Sequence, residues 1–393
     1  MEAYLDYNAS TPLDPRVFDT MIPYFRESFG NASSIHKAGQ KARHAIETAR
    51  EEIADCLGVE PGDIIFTSGG TEADNIAFKG SVEAADPKRR HLVVSTIEHS
   101  AVLHPARYLA SKGYKVTFVS VGADGLVDPA EVKNAVTDET ALVSVMHVNN
   151  EVGTVQPIRE IAAIAKKHGA LFHTDAVQSF GKLLLDPEVD GIDLLSMSAH
   201  KICGPKGCGA VYIRKGVKVK SVTHGGHQEK NIRPGTENVA AIAGFGRAAR
   251  FALQERAAET KRVHALREKL FQGLQDSVPD IRLNGHPDRR IYNTLSLSFA
   301  GLEGETLLMN LDLKGIFVST GSACTAGSVE PSHVLIAMGL PDRLARSTVR
   351  ISLGRFTTSK EIDHAILEIP PIVERLRKAS TSHKPYPPHP KEP

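Results

Sequence analysis

Ser196-Met197-Ser198-Ala199-His200-Lys201-Ile202-Cys203-Gly204-Pro205-Lys206-Gly207 leaves an apolar run and sets a lysine at the mouth of a Gly/Pro-rich loop. Upstream, Leu171-Phe172-His173-Thr174-Asp175-Ala176-Val177-Gln178 ends a similar run with an acid and an amide. Both belong to a longer alternation of short apolar segments with amphipathic ones. Strands are predicted at 63–67, 91–96, 114–121, 141–147, 170–174, 192–197 and 210–214. Helices are predicted between several of them, at 72–79, 102–111, 129–136 and 158–168. Ile161, Ala162, Ala165 and His168 recur at helical spacing in the last of these. Strand then helix, repeated, makes an α/β fold with a mainly parallel seven-stranded sheet covered by helices on both faces. Ligands of such sheets gather at the carboxyl ends of the strands, which is where Asp175 and Lys201 fall.

Outward from this core, residues 34–57 form a well-marked helix, with Ser33 or Ser34 as its expected N-cap. Residues 237–277 read as a long helical stretch that Gly244 and Gly246 interrupt near its start. It is expected to link the large unit to a second one of α+β type, with strands at 292–299, 316–319 and 348–353. Helices are expected there at 303–311, 331–338 and 360–378. The resulting division is an N-terminal segment, 1–15, that joins the small domain, a large domain at 16–250 and a small domain at 251–378. The tail, 379–393, is rich in Pro, Lys and His, has no core pattern and is expected to be disordered.

The 393 residues are 41% hydrophobic and 24% charged, with a net charge of +1. That balance provides no field for nucleic acid or an anionic membrane. The cluster Lys88, Arg89, Arg90 reads as a solvated turn. The start of the chain has neither a basic leader nor an apolar core, and no apolar run approaches the roughly 20 residues of a membrane span. Four cysteines are too few for a disulfide framework and point to a reducing cytoplasm. Cys203 and Cys208 lie outside Cys-x-x-Cys spacing, so no resident metal is expected. Cys56 shares the apolar side of its helix with Ile46 and Ile53.

Thr67-Ser68-Gly69-Gly70-Thr71-Glu72 follows a strand and opens a helix, where free amides and the helix dipole suit a phosphate. A Gly-Gly turn is by itself usually structural. No Gly-Lys-Ser/Thr follows it and no Gly-x-Gly-x-x-Gly is present, so the segment matches neither nucleotide fingerprint. Asp175 reads either as a helix N-cap or as a buried carboxylate that keeps a pyridine nitrogen protonated. Gln178 stands where it can donate to a ring oxygen. Lys201 reads either as a solvent-exposed lysine of a Gly/Pro-rich loop or as an imine-forming one, with Ser198 and His200 placed to contact phosphate oxygens. Lys206 competes for that role from inside a tight turn.

The ordered set Gly69-Gly70-Thr71-Glu72, Glu98-His99-Ser100, Asn149-Asn150-Glu151, Asp175-x-x-Gln178 and Ser198-Ala199-His200-Lys201 resembles the cysteine desulfurase family. That family belongs to the class V aminotransferase-like enzymes of pyridoxal-phosphate fold-type I. Tyr4 to Pro12 and Arg233-Pro234-Gly235-Thr236-Glu237-Asn238 match as well, so the resemblance spans roughly residues 4–370. It implies pyridoxal 5'-phosphate as cofactor, Lys201 as the Schiff-base lysine and Asp175 as partner of the pyridinium nitrogen. His99 would stack on the ring and shuttle protons. Gly70, Thr71, Ser198 and His200 would hold the phosphate, and Asn150 and Gln178 the ring substituents. Thr236 matches a residue that reaches the other subunit's cofactor, which implies a homodimer. Ser10 stands where the family often has Thr.

The run Val318-Ser319-Thr320-Gly321-Ser322-Ala323-Cys324-Thr325-Ala326-Gly327-Ser328 surrounds one cysteine with small residues, as a mobile loop would. It is similar to the family's long catalytic-cysteine loop, not to the shorter Gly-His-His-Cys type. The resemblance therefore implies that Cys324 takes sulfur from L-cysteine as a persulfide. Arg350, with Asn8 and Asn150, would hold the substrate carboxylate. A transaminase needs no such cysteine, and a non-catalytic relay protein needs none of Lys201, Asp175 or His99. The implied acceptor is an iron–sulfur scaffold protein or another sulfur-transfer partner, with Cys324 as a transient cluster contact. The segment 233–238 leans to the nitrogenase-linked type, and the residues after Arg377 lack the housekeeping-branch tail. A preference between sulfur and selenium stays open.

Overall fold

The structure, a computed structural model, describes residues 1–321 and 330–379. Cys324, and the tail beyond Ala379, lie outside the described residues. Twelve strands are present among these: β1 (Ala3–Tyr4), β2 (Ile64–Thr67), β3 (His91–Ser95), β4 (Lys115–Val119), β5 (Thr140–Ser144) and β6 (Leu171–Asp175). They continue with β7 (Leu194–Ser198), β8 (Gly209–Ile213), β9 (Ile281–Leu283), β10 (Thr294–Phe299), β11 (Ile316–Phe317) and β12 (Thr348–Ser352). The helices begin with α1 (Pro15–Arg26), α2 (Lys37–Leu57), α3 (Gly70–Asn75), α4 (Ser81–Ala84), α5 (Ser100–Ser111), α6 (Pro129–Ala135) and α7 (Ile158–Lys167). They end with α8 (Pro187–Asp190), α9 (Val239–Ser277), α10 (Gly304–Asp312), α11 (His333–Ala337), α12 (Asp342–Arg346) and α13 (Ser359–Ala379).

Seven strands form the main sheet in the order β2-β8-β7-β6-β5-β3-β4. Only β8 runs against its neighbours, so the carboxyl ends of the other six share one edge. Alternation along each strand divides the core in two. Ile64, Phe66 and Val93 pack with α2 and the first half of α9, whereas Ile65, Leu92 and Val94 pack with α5 and the segment after α3. Strands buried on both faces need apolar residues throughout, and β2, β3, β5 and β7 are buried along their whole length. The edge strand β4 instead shows Lys115 and Phe118 to solvent, and a lysine discourages pairing with another chain.

A second core lies around the antiparallel sheet β12-β10-β9, where Leu295, Leu297, Val349 and Ile351 meet Ile362, Ile369 and Ile372 of α13. Helix α9 serves both cores. Its first turns contribute Phe245, Ala248 and Ala252 to the large sheet, and its last turns contribute Val263, Leu270 and Leu274 to the small one. The expected interruption at Gly244 and Gly246 does not occur, because these glycines serve close packing. A Cβ on Gly246 would stand 2.5 Å from the Ala49 Cα in α2.

Two further expectations are corrected. Neither Ser33 nor Ser34 caps α2; His36 does, its Nδ1 accepting from the Gly39 amide at 3.3 Å. The helix expected at 72–79 begins at Gly70 and changes at Ile76 to a wider π turn that runs to Gly80. There the backbone of Gly80 lies against that of Lys220. The first ten residues pair with the small unit through β1 and β11 and through Asp6 and Ser352. They then cross toward the end of β7. Among the described residues no helix is long and apolar enough to cross a membrane.

Candidate active site

Strand β7 ends at Ser198, and one tight turn, Ala199–Lys201, carries Lys201 out of the sheet. Its ammonium donates to the backbone carbonyls of Asn8 at 2.6 Å and Ala9 at 2.9 Å. The same crossing segment is tied to this turn at Thr11, whose amide and hydroxyl both donate to the His200 carbonyl. His200 Nδ1 lies 3.2 Å from Ser10 Oγ, so the Ser10 hydroxyl makes a contact that needs no Thr methyl. Burial, with the charges of Lys201, Lys206 and Lys182, pushes the His200 pKa down to about 4 and keeps the ring neutral.

Asp175 closes β6 and is buried. One carboxylate oxygen accepts from the Val177 amide at 2.8 Å. Burial raises its pKa, and the charges of His99 and Lys201 pull it back. His99 precedes α5 as its cap, with Nδ1 accepting from the Ala101 amide at 3.1 Å. In the neutral ring that bond places the proton on Nε2.

Gly70 opens α3 beside these strand ends. A Cβ there would lie 2.7 Å from Val177 Cγ2 and 3.7 Å from Ser198 Cβ, so only glycine lets the helix start approach β6 and β7 this closely. Thr71 follows on the exposed side. Glu72 turns back to pair with Arg233 at 3.1 Å, which holds the segment carrying Thr236 against the start of α3. Thr236 itself is exposed.

Asn8 joins the two units. Its side-chain amide donates to Thr294 Oγ1 at 2.9 Å and to the Asn150 carbonyl at 3.1 Å, so both hydrogens are committed. Its own carbonyl receives Gln178 Nε2 at 3.0 Å as well as Lys201. Arg350, in the middle of β12, pairs with Asp6 at 2.9 Å and donates to the Asn150 carbonyl at 3.1 Å. Its Nε is buried with no partner among the described residues. A buried guanidinium with an unused donor suits a carboxylate. Among the described residues, the structure thus brings Asn8, Asn150, Gln178, Lys201 and Arg350 into one hydrogen-bonded network.

Sequence reasoning missed the layer behind Asp175. His173, two residues back on the same face of β6, lies 2.8 Å from Ser144 Oγ and 3.1 Å from Ser196 Oγ. Burial pushes its pKa down to about 3. Asp74 of α3 approaches it at 3.6 Å. Burial and the nearby Asp175 raise the Asp74 pKa well above its usual value, and with His173 neutral this approach is no ion pair. Glu98 accepts from the Met146 amide at 2.7 Å and its other oxygen is buried without a partner among the described residues. Burial raises its pKa to about 8. The alternation along β6 could have found His173, whereas Asp74 and Glu98 carry no local signal of burial.

The family model described as Aminotransferase class-V matches residues 3–365 of the chain. The chain is 48% identical over 377 residues to "Cysteine desulfurase IscS" of Methanosarcina thermophila, covering 96% of this chain and 93% of that one. Among solved structures, a "NifS-like protein" superposes with a TM-score of 0.90 at 41% identity, covering 96% of this chain and 100% of that one. Another, described as "SspA in complex with cysteine", gives a TM-score of 0.80 at 38% identity over 91% of this chain and 100% of that one.

Proposed function

This chain belongs to the class-V aminotransferase family, and from that premise we propose that Lys201 and Asp175 hold pyridoxal 5'-phosphate and that Cys324 receives sulfur from L-cysteine. The protein is a cysteine desulfurase, an enzyme of sulfur transfer. The observation that carries the residue roles is the convergence of a lysine and a buried carboxylate at the carboxyl ends of adjacent parallel strands, β7 and β6.

The residues present fit the cofactor. Asp175 offers a buried carboxylate to a ring nitrogen, Gly70 leaves a close approach that a Cβ would fill, and Lys201 is held by carbonyls that position its amine. Gly70, Thr71, Ser198 and His200 would hold its phosphate, and Thr236 of a second subunit would complete that site in a homodimer. Asn150 and Gln178 would contact the ring substituents. When bound, pyridoxal phosphate supplies a protonated ring that withdraws electrons from the substrate carbons.

Arg350 binds the L-cysteine carboxylate through its unused Nε and its remaining Nη hydrogens, with Asn150 alongside. Asn8, whose amide is already committed to protein partners, contributes by holding Lys201 in place. Lys201 Nζ takes the proton from the substrate α-carbon, and His99 Nε2 carries the proton exchanged with the substrate. The Cys324 thiolate attacks the substrate sulfur. The carbon–sulfur electron pair stays with the β-carbon, which takes a proton, and Lys201 Nζ returns to the α-carbon the proton it took, so L-cysteine becomes L-alanine and Cys324 a persulfide. The free thiols Cys56, Cys203 and Cys208 support a reducing cytoplasm as the compartment. An iron–sulfur scaffold protein is the proposed acceptor.

Purified protein supplied with L-cysteine and a thiol reductant should release sulfide and alanine in equal amounts. Cys324→Ala should keep its yellow cofactor and lose nearly all sulfide release, whereas Lys201→Ala should lose the imine absorbance. Equal sulfide release by the wild type and Cys324→Ala would overturn the persulfide route.

A further inference from the structure

Lys182 is an interior lysine that the reaction above does not use. It follows Gln178 by four residues in the turns after β6 and is 9% exposed. Its ammonium donates to Gln178 Oε1 at 3.2 Å, and no carboxylate lies within 4.0 Å of it among the described residues. Lysines are seldom buried without a paired charge. Burial pushes its pKa down to about 8, and the charge of Glu259 works in the other direction. With Lys201, Cys203, Glu259 and Arg355 it lines a cavity of ≈ 20 Å³, room for about one water molecule.

The chemistry of the donor fixes Gln178. An ammonium has hydrogens to give and no lone pair to receive. The oxygen of the Gln178 amide must therefore face Lys182, which turns the amide nitrogen toward the cofactor side. One of its two hydrogens goes to the Asn8 carbonyl at 3.0 Å, the same carbonyl that receives Lys201. The second remains for a ligand. Without the ammonium, Gln178 Oε1 is left in the interior with no donor, which buried acceptors seldom are. The Asn8 carbonyl alone would then hold the amide.

We propose that Lys182 is a positioning residue of the desulfurase: by holding Gln178 Oε1 it presents the second Nε2 hydrogen of Gln178 to the oxygen substituent of the cofactor ring. This rests on the reading of Gln178 as a ring contact. Lys182 touches neither substrate nor ring and acts through Gln178 alone.

The test is a double-mutant cycle on the holoenzyme, read by the absorption maximum of the bound cofactor and by kcat. Lys182→Met keeps the apolar stem and removes the donor. It should shift the absorption maximum in the same direction as Gln178→Ala and lower kcat by about tenfold, the size expected for a lost hydrogen bond. The double variant should lose no more than Gln178→Ala alone, to within about twofold. Lys182→Gln, which keeps a donor without the charge, should stay near the wild-type spectrum, as should Lys182→Arg. Losses that multiply in the double variant would place Lys182 outside this role and overturn the proposal. So would a wild-type spectrum in Lys182→Met beside an impaired Gln178→Ala, an outcome that leaves the ring contact standing. A wild-type Gln178→Ala overturns both. If Lys182→Met yields no folded holoenzyme, Lys182→Gln decides alone: a maximum displaced to the Gln178→Ala position refutes the proposal.

Discussion

Three carboxyl groups, Asp74, Glu98 and Asp175, lie buried within electrostatic reach of one another. Like charges in one buried region cannot all ionise. Their surroundings decide which keeps its charge: Asp175 has His99 and Lys201 beside it, whereas Asp74 has neutral His173 and Glu98 has the Ser95 hydroxyl and the Met146 amide. Of the three, Asp175 is the one that Lys201 and His99 favour as a carboxylate, which suits the role proposed for it opposite a ring nitrogen. Glu98 holds its proton up to about pH 8 in the fold, against 4.5 in the open chain. Between these values the folded protein binds a proton that the unfolded chain has released, so this group's contribution to stability falls as pH rises. Glu98→Gln keeps the neutral shape. Its melting temperature should gain on the wild type from pH 5 to pH 8, with a constant difference below pH 4.5. Thermal melts across that range check it, and a gap that fails to widen would show that Glu98 is ionised in the fold.

At the scale of the element, α9 explains why a glycine in a helix can be worth more than an alanine. In an exposed helix, glycine costs roughly 1 kcal/mol relative to alanine. At Gly246 the order reverses, since a methyl group would meet the Ala49 Cα at 2.5 Å and its Cβ at 2.7 Å. Helix α2 would have to move, and backbone yields less than side chains. Overpacking of this kind costs about 1–3 kcal/mol. Gly246→Ala should therefore lower stability in urea melts despite its better helix propensity; a gain would mean that α2 and α9 separate freely. The same helix shows how far element reading can go. Its length and Ala-rich composition were legible at 237–277, because a 3.6-residue period survives any packing. The role of its glycines was not, because close approach depends on which helix lies across from them. The cap of α2 was hidden for a related reason: His36 is a poor cap by residue type, and two serines stood close by.

At the scale of the whole molecule, the first ten residues join the small sheet to the lysine of the large one. The amides of Tyr7 and Asn8 donate to the Ser352 carbonyl and hydroxyl of β12, and the carbonyls of Asn8 and Ala9 then receive Lys201. The places of Lys201 and Asp175 were legible in the sequence as charged side chains at the ends of apolar runs, and the roles read for them came from the ordered set of motifs. The atoms that hold Lys201 were not legible, because a backbone carbonyl has no residue-type signature, and its donor lies 193 positions away. Gly354, just past β12, tests whether this connection matters. A Cβ on it would overlap the ring of buried Tyr7, so Gly354→Ala must push Tyr7, and Asn8 after it, out of register. We expect a cost of about 1–3 kcal/mol in stability. Because Asn8 positions Lys201 and Gln178, we also expect weaker retention of pyridoxal phosphate. Melting temperature and cofactor affinity, measured on the same preparation, separate the two effects. A lower melting temperature with unchanged affinity would show that the crossing segment only packs, and that Lys201 is set by its own turn.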